Sequence, residues 1–123
     1  MTRILLAEDH ETTRAQLSAV MRQAGFVVES VPSGVEAVLR LTQEDYDLLV
    51  TDLMMPEGSG FDVIQHLRKR KLKIPILVCS AYVDEKGAGR SLEGFRFAAI
   101  SKPVKPDAFL TAVKGLLAPA PAK

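Results

Sequence analysis

A chain of 123 residues, 47% of them hydrophobic, buries one good core and not two, so a single domain is expected. Sixteen basic against fifteen acidic residues leave a formal charge of +1, which removes any global electrostatic reason to expect nucleic acid or an anionic membrane as partner. The one cysteine, Cys79, excludes an intrachain disulfide and a cysteine-rich zinc site, and the early acidic residues Glu8 and Asp9 exclude a signal peptide or membrane span and point to the cytoplasm.

Ile4 to Ala7 reads as a first strand, short and aliphatic. Leu17, Val20, Met21 and Ala24 then share a helical face that Gly25 closes. Val27 to Val31 reads as a strand left partly exposed by Glu29 and Ser30. Ser33 with Glu36 three residues on is a capping box, and it opens a helix on which Val35, Val38, Leu39 and Thr42 form the face expected to cover a sheet. Leu48 to Thr51 follows as a fully apolar strand. Ser59 caps a third helix carrying Val63, Ile64 and Leu67, and Ile76 to Cys79 is the fourth strand. A fourth helix belongs over Asp84 to Glu93, but Gly87 and Gly89 each cost about 1 kcal/mol in a helix interior, so it is expected to be weak. Phe97 to Ile100 is the fifth strand, and Pro106 suits the first turn of the last helix. Residues 118–123 alternate proline with alanine and read as a flexible tail after a domain over residues 1–117.

Strict β-α alternation with near-continuous apolar strands predicts an α/β fold. Its centre is a single doubly wound five-stranded parallel sheet in the flavodoxin-like order 2-1-3-4-5, with five helices. In such sheets the working site lies beyond the carboxyl ends of the strands. The residues there are Glu8, Asp9, His10 and Glu11 after the first strand, Asp52 after the third, Ser80 after the fourth and Lys102 after the fifth.

Carboxylates brought so close repel one another unless a cation joins them. Oxygen ligands and room for phosphate oxygens favour Mg2+, with Mn2+ the alternative. The first β-α turn lacks the glycine-rich cradle of a nucleotide site. With a cation present, Asp52 supplies an attacking carboxylate oxygen while Ser80 and Lys102 receive phosphoryl oxygens, a phosphoryl-transfer site that works by positioning and charge neutralisation.

Glu8-Asp9 after a first strand, Asp52-Leu-Met-Met-Pro56 with Gly60 beyond it, Ser80-Ala81 and Lys102-Pro103 together resemble the receiver domain of two-component response regulators, of the single-domain chemotaxis type. The likeness spans residues 2 to 117. It implies Asp52 as phosphoacceptor, Asp9 as direct metal ligand, Glu8 as its partner acting through water, and the Met54 carbonyl as a third protein contact to the metal. It further implies Ser80 as the hydroxyl that turns toward the phosphoryl group, Lys102 as its ion-pairing cation, and a cis peptide before Pro103. The implied donor is a sensor histidine kinase or histidine phosphotransfer protein. The implied output is a downstream protein partner bound on the face formed by the helix over 84–93, the fifth strand and the last helix, with no direct nucleic-acid or membrane contact. One position departs from the pattern: the switch aromatic expected three residues before the lysine is Ala99. Phe97, two residues back on the same strand face, is the candidate substitute.

Two rivals stand beside this reading. A Mg2+-dependent phosphatase working through an aspartyl-phosphate needs a second carboxylate two residues after the nucleophile, and that residue is Met54. A pseudo-receiver would bind partners without phosphate, for which Ala99 speaks. Elsewhere the plainer readings hold. His10 and His66 read as solvated, Cys79 as a buried small hydrophobe, Met54 and Met55 as one site-lining and one core residue. The run Arg68, Lys69, Arg70, Lys71 and Lys73 reads as a solvated helix end that complements the dipole, not as a nucleic-acid patch.

Overall fold

The five aliphatic runs pair side by side into one parallel sheet, each crossing to the next through a helix or a longer connection. A computed structural model describes residues 2–55, 57–80 and 92–118. Its elements are β1 (Arg3–Ala7), α1 (Glu11–Gln23), β2 (Val27–Val31), α2 (Gly34–Gln43), β3 (Leu48–Thr51), α3 (Gly60–Lys69), β4 (Ile76–Ser80), β5 (Phe97–Ser101) and α4 (Pro106–Leu117). The strand order is β2-β1-β3-β4-β5, as the alternation predicts. Nearly all of the helix expected over 84–93, and all but the first residue of the tail over 118–123, lie outside the described residues.

Alternation along each strand divides the core in two. Leu5, Ala7, Leu49, Ile76 and Val78 pack on one face with Val63, Ile64 and Leu67 of α3. Ile4, Leu6, Leu48, Val50, Leu77 and Cys79 pack on the other with Leu17 and Met21 of α1 and Phe109 and Val113 of α4. Burial of each such leucine or isoleucine contributes about 2 kcal/mol in transfer free energy. The central strands β1, β3 and β4 are thus covered on both sides, and β2 and β5 are the edges.

The expected face of α2 is wrong by about one residue. Val35 and Leu39 are 56% and 54% exposed and Thr42 is exposed, whereas Gly34, Ala37 and Leu41 are buried. The cause is a backbone contact. Gly34 N–H donates to Gly58 O at 2.9 Å and Val35 N–H to Glu57 O at 3.2 Å. A Cβ at Gly34 would stand 2.2 Å from Gly58 O. This approach, open only to glycine, turns the helix so that its small residues face inward.

The end signals hold better. Gly25 after α1 has φ +97°, and Ser33 accepts from Glu36 N–H at 3.2 Å, but the Glu36 side chain does not return a bond to the Ser33 N–H, so only half of the expected box forms. The reciprocal box forms at Ser59 and Asp62. Pro106 opens α4.

Candidate functional site: an acidic pocket at the carboxyl ends of the strands

β1 and β3 are neighbours in register, Ala7 beside Thr51, so the residues that follow them leave the sheet side by side. That register brings Glu8, Asp9 and Asp52 together: one carboxylate oxygen of each lies within 4.8 Å of the others. Glu8 is 1% and Asp52 7% exposed, while Asp9 faces solvent.

Lys102, from the turn after β5, reaches between the two buried acids. Its Nζ donates to Glu8 Oε1 at 2.5 Å and to Asp52 Oδ2 at 2.7 Å. Burial disfavours the charged ammonium, yet these two hydrogen bonds outweigh it and raise the Lys102 pKa. Burial also pushes the Glu8 carboxyl above the usual range; Lys102 and the His10 N–H pull it back, and the neighbouring Asp9 adds to the rise. Both Glu8 oxygens are engaged, since Oε2 accepts from His10 N–H at 3.1 Å. Asp52 Oδ1 accepts from Met54 N–H at 3.0 Å.

The Lys102–Pro103 peptide is cis, as the resemblance implied. Met54 is 69% exposed and Met55 buried, matching their expected division. Ser80 ends β4 opposite Ser101, at the level of the pocket, but its hydroxyl lies outside the described residues, as does Pro56. Ala99 sits exposed in mid-β5. Phe97, 43% exposed, pairs with Ile76 at the start of β4. It stands four residues short of Ser101, about 13 Å down the strand.

Two residues gain roles that their sequence positions did not disclose. His10 caps α1, its Nδ1 accepting from Thr13 N–H at 3.4 Å. Arg14 folds back over the acidic turn, donating to Glu8 O at 2.9 Å and, more weakly, to Asp9 O at 3.5 Å. An arginine one turn into a helix that opens on acidic residues was the available signal. His66 is half-buried rather than solvated, with Nε2 lacking a partner among the described residues, and burial lowers its pKa. The basic run is exposed, with Arg68 and Lys73 over the Phe95 ring at 5.1 and 5.6 Å.

Three carboxylates against the Lys102 ammonium and the Arg14 guanidinium still leave negative charge in excess, and the donor set is that of a hard cation keeping several waters. The model of the response regulator receiver domain matches residues 4–114. The chain belongs to this family.

As a receiver domain it is 36% identical over 90 residues to the sensor protein EvgS of Escherichia coli K12, covering 72% of this chain and 8% of that protein. It is 28% identical over 117 residues to the response regulator SaeR of Staphylococcus aureus, covering 95% of this chain and 51% of that one. The chain therefore spans about half of SaeR and under a tenth of EvgS. Among solved structures, the receiver domain of HemR from Leptospira biflexa, non-phosphorylated, superposes with a TM-score of 0.88 at 28% identity, covering 100% of this chain and 99% of that one. The response regulator TrrA from Thermotoga maritima, in complex with Mg2+ and BeF, superposes at 0.84 with 28% identity, covering 95% and 100%.

Receiver domains are phosphoryl-accepting signalling modules of two-component systems that interact with histidine kinases and downstream partners. The acidic pocket of Glu8, Asp9 and Asp52 fits a Mg2+-binding phosphorylation site. That intact pocket disfavours a phosphate-independent pseudo-receiver. No described helix is long and apolar enough to cross a membrane.

Proposed function

We propose that Asp52 is the phosphoacceptor. The carrying observation is its place: a carboxylate 7% exposed, held at Oδ1 by the Met54 N–H and at Oδ2 by Lys102, within reach of two further acids. A phosphohistidine on a sensor kinase or phosphotransfer protein presents its phosphorus to an Asp52 oxygen. The new O–P bond forms as the N–P bond breaks, and the imidazole leaves with the electron pair and takes a proton. No group on this chain needs to supply that proton, which agrees with Met54 standing where a phosphatase would place an acid.

Asp9 and Asp52, with the Met54 carbonyl, would hold Mg2+ directly, and Glu8 would act through water. Bound there, the cation supplies neutralisation of phosphoryl charge. Lys102 holds Asp52 in place before transfer and takes a phosphoryl oxygen after it, and the Ser80 hydroxyl takes another. The added charge then changes partner affinity through differential contacts in the two states. The face of β5, α4 and the segment between β4 and β5 carries this output, in the cytoplasm and on another protein. Phe97 stands two residues, about 7 Å of strand, further from the level of the pocket than the aromatic missing at Ala99, which speaks against its acting as the substitute.

Intact mass after treatment with acetyl phosphate and Mg2+ tests the assignment. The expected result is a gain of one phosphoryl group that Asp52→Ala and chelation of Mg2+ each abolish. A gain that survives in Asp52→Ala would place the acceptor elsewhere.

A further inference from the structure

Of the cations around the acidic pocket, Lys102 bonds carboxylates while Arg14 bonds only backbone. Its Nη1 donates to Glu8 O at 2.9 Å and Asp9 O at 3.5 Å, and no carboxylate among the described residues lies within ion-pair distance of it. A guanidinium beside three acids that pairs with none of them is not there for charge alone.

The geometry of the turn says what it does. In a trans peptide the C=O and N–H point in opposite directions. The unit joining Asp9 to His10 is gripped at both ends, its oxygen facing Arg14 and its N–H donating to Glu8 Oε2 at 3.1 Å. The preceding unit is gripped at its oxygen, Glu8 O, by the shorter Arg14 contact. Arg14 itself is fixed, since its own N–H donates to His10 O at 2.9 Å in the first turn of α1. The helix thus holds the arginine, and the arginine holds the Glu8 carbonyl and, more weakly, that of Asp9, the two residues whose side chains meet Asp52.

We propose that Arg14 is a positioning residue of the divalent-cation site, setting the backbone of Glu8 and Asp9 so that their carboxylates converge with Asp52. This rests on the metal reading given above. Removing a group that orients metal ligands typically costs 10–100-fold in affinity.

Coulomb's law makes the test sharp. Deleting a positive charge near a cation site should by itself tighten Mg2+ binding, whereas loss of positioning weakens it. The two accounts of Arg14 therefore differ in sign. Mg2+ titrations of the full chain, followed by amide NMR shifts, give Kd for wild type, Arg14→Gln and Asp9→Asn, with urea unfolding in EDTA run in parallel.

The expected result is about ten-fold weaker binding in Arg14→Gln, with shifts at Asp9 and His10 before any metal is added. Unchanged or tighter binding would overturn the proposal, as would a lowered urea midpoint with an unaltered Kd. If Arg14→Gln does not fold, Arg14→Lys decides, because lysine keeps the charge but reaches one carbonyl. Several-fold weakening supports positioning and a wild-type Kd overturns it. A wild-type protein that binds no Mg2+, or an Asp9→Asn variant that binds as wild type does, would instead refute the metal reading itself.

Discussion

Both ends of the sheet carry a cluster of charged side chains, and the two clusters differ in their balance. At the amino ends of the strands, Arg3 Nη2 pairs with Glu29 at 2.7 Å and Glu44 at 2.9 Å, and Arg40 stands 3.7 Å from Glu29. The Tyr46 hydroxyl donates to Glu29 at 2.5 Å and Glu44 at 3.2 Å, and the Arg3 guanidinium lies 5.2 Å over the Tyr46 ring. There Glu29 and Glu44 are each ion-paired with a guanidinium and bonded by the phenol, and Asp47 accepts the Arg3 backbone N–H at 2.8 Å, so every acid of the cluster has a donor. At the carboxyl ends, Glu8 and Asp52 share the Lys102 ammonium, the Arg14 guanidinium bonds only backbone, and Asp9 has no ion-pair partner among the described residues. Balanced polar clusters hold a fold together; an unbalanced one spends stability on a task the folded chain has not yet completed.

Breaking the Lys102 pairings, the ion pairs found at the unbalanced end among the described residues, should have the largest effect. Lys102→Met leaves the buried Glu8 and Asp52 facing each other with Asp9 beside them. Loss of one partner from a buried ion pair typically costs about 3 kcal/mol or more, so urea unfolding in EDTA should show a loss of that order. Added Mg2+ should restore part of it, because a cation again stands among the acids. A variant as stable as wild type without metal would mean that the pocket tolerates its own charge.

At the balanced end the effect is smaller and of another kind. Tyr46→Phe removes a donor to two carboxylates, a loss of about 2 kcal/mol for hydrogen bonds to charged groups, and should leave the Mg2+ response untouched. It should also change the pH dependence. The Tyr46 hydroxyl, with Arg3, lowers the Glu29 pKa from its ordinary 4.5. A depressed carboxyl pKa contributes stability that is full above 4.5 and lost as pH falls through the folded-state value. The stability difference between wild type and Tyr46→Phe should therefore shrink as acid is added below pH 4.5. A difference constant with pH would assign the effect to packing alone.

How far the sequence discloses these features depends on whether a signal is local. The strands are legible because runs such as Leu48 to Thr51 sit in the sheet centre and need to be apolar on both faces. The pocket is legible because strand ends converge by topology, so Glu8, Asp9, Asp52 and Lys102 are found from their offsets. The rotation of α2 is not, because it is set by a glycine contact between Gly34 and Gly58, which no hydrophobic period records. Arg14 is missed for a related reason: its partners are backbone carbonyls, and backbone carries no residue-type signal. The balanced cluster is equally silent, since Arg3, Glu29, Glu44 and Tyr46 are scattered polar residues until the sheet gathers them.

The smallest effect on stability separates the two ends most cleanly. Asp9 is exposed, and its carboxylate, as a hydrogen-bond partner, favours the protonated form of Glu8 without forming an ion pair among the described residues. Asp9→Asn should therefore leave the metal-free protein within about 0.5 kcal/mol of wild type. The same change should remove most of the stabilisation by Mg2+, which for the wild type is about 1.4 kcal/mol when the cation stands at roughly ten times its Kd. Thermal unfolding with and without Mg2+ reads both quantities in one series. If Asp9→Asn instead lowers metal-free stability by as much as Tyr46→Phe does, Asp9 is part of the scaffold, and charge balance no longer distinguishes the working end of the sheet from the structural one.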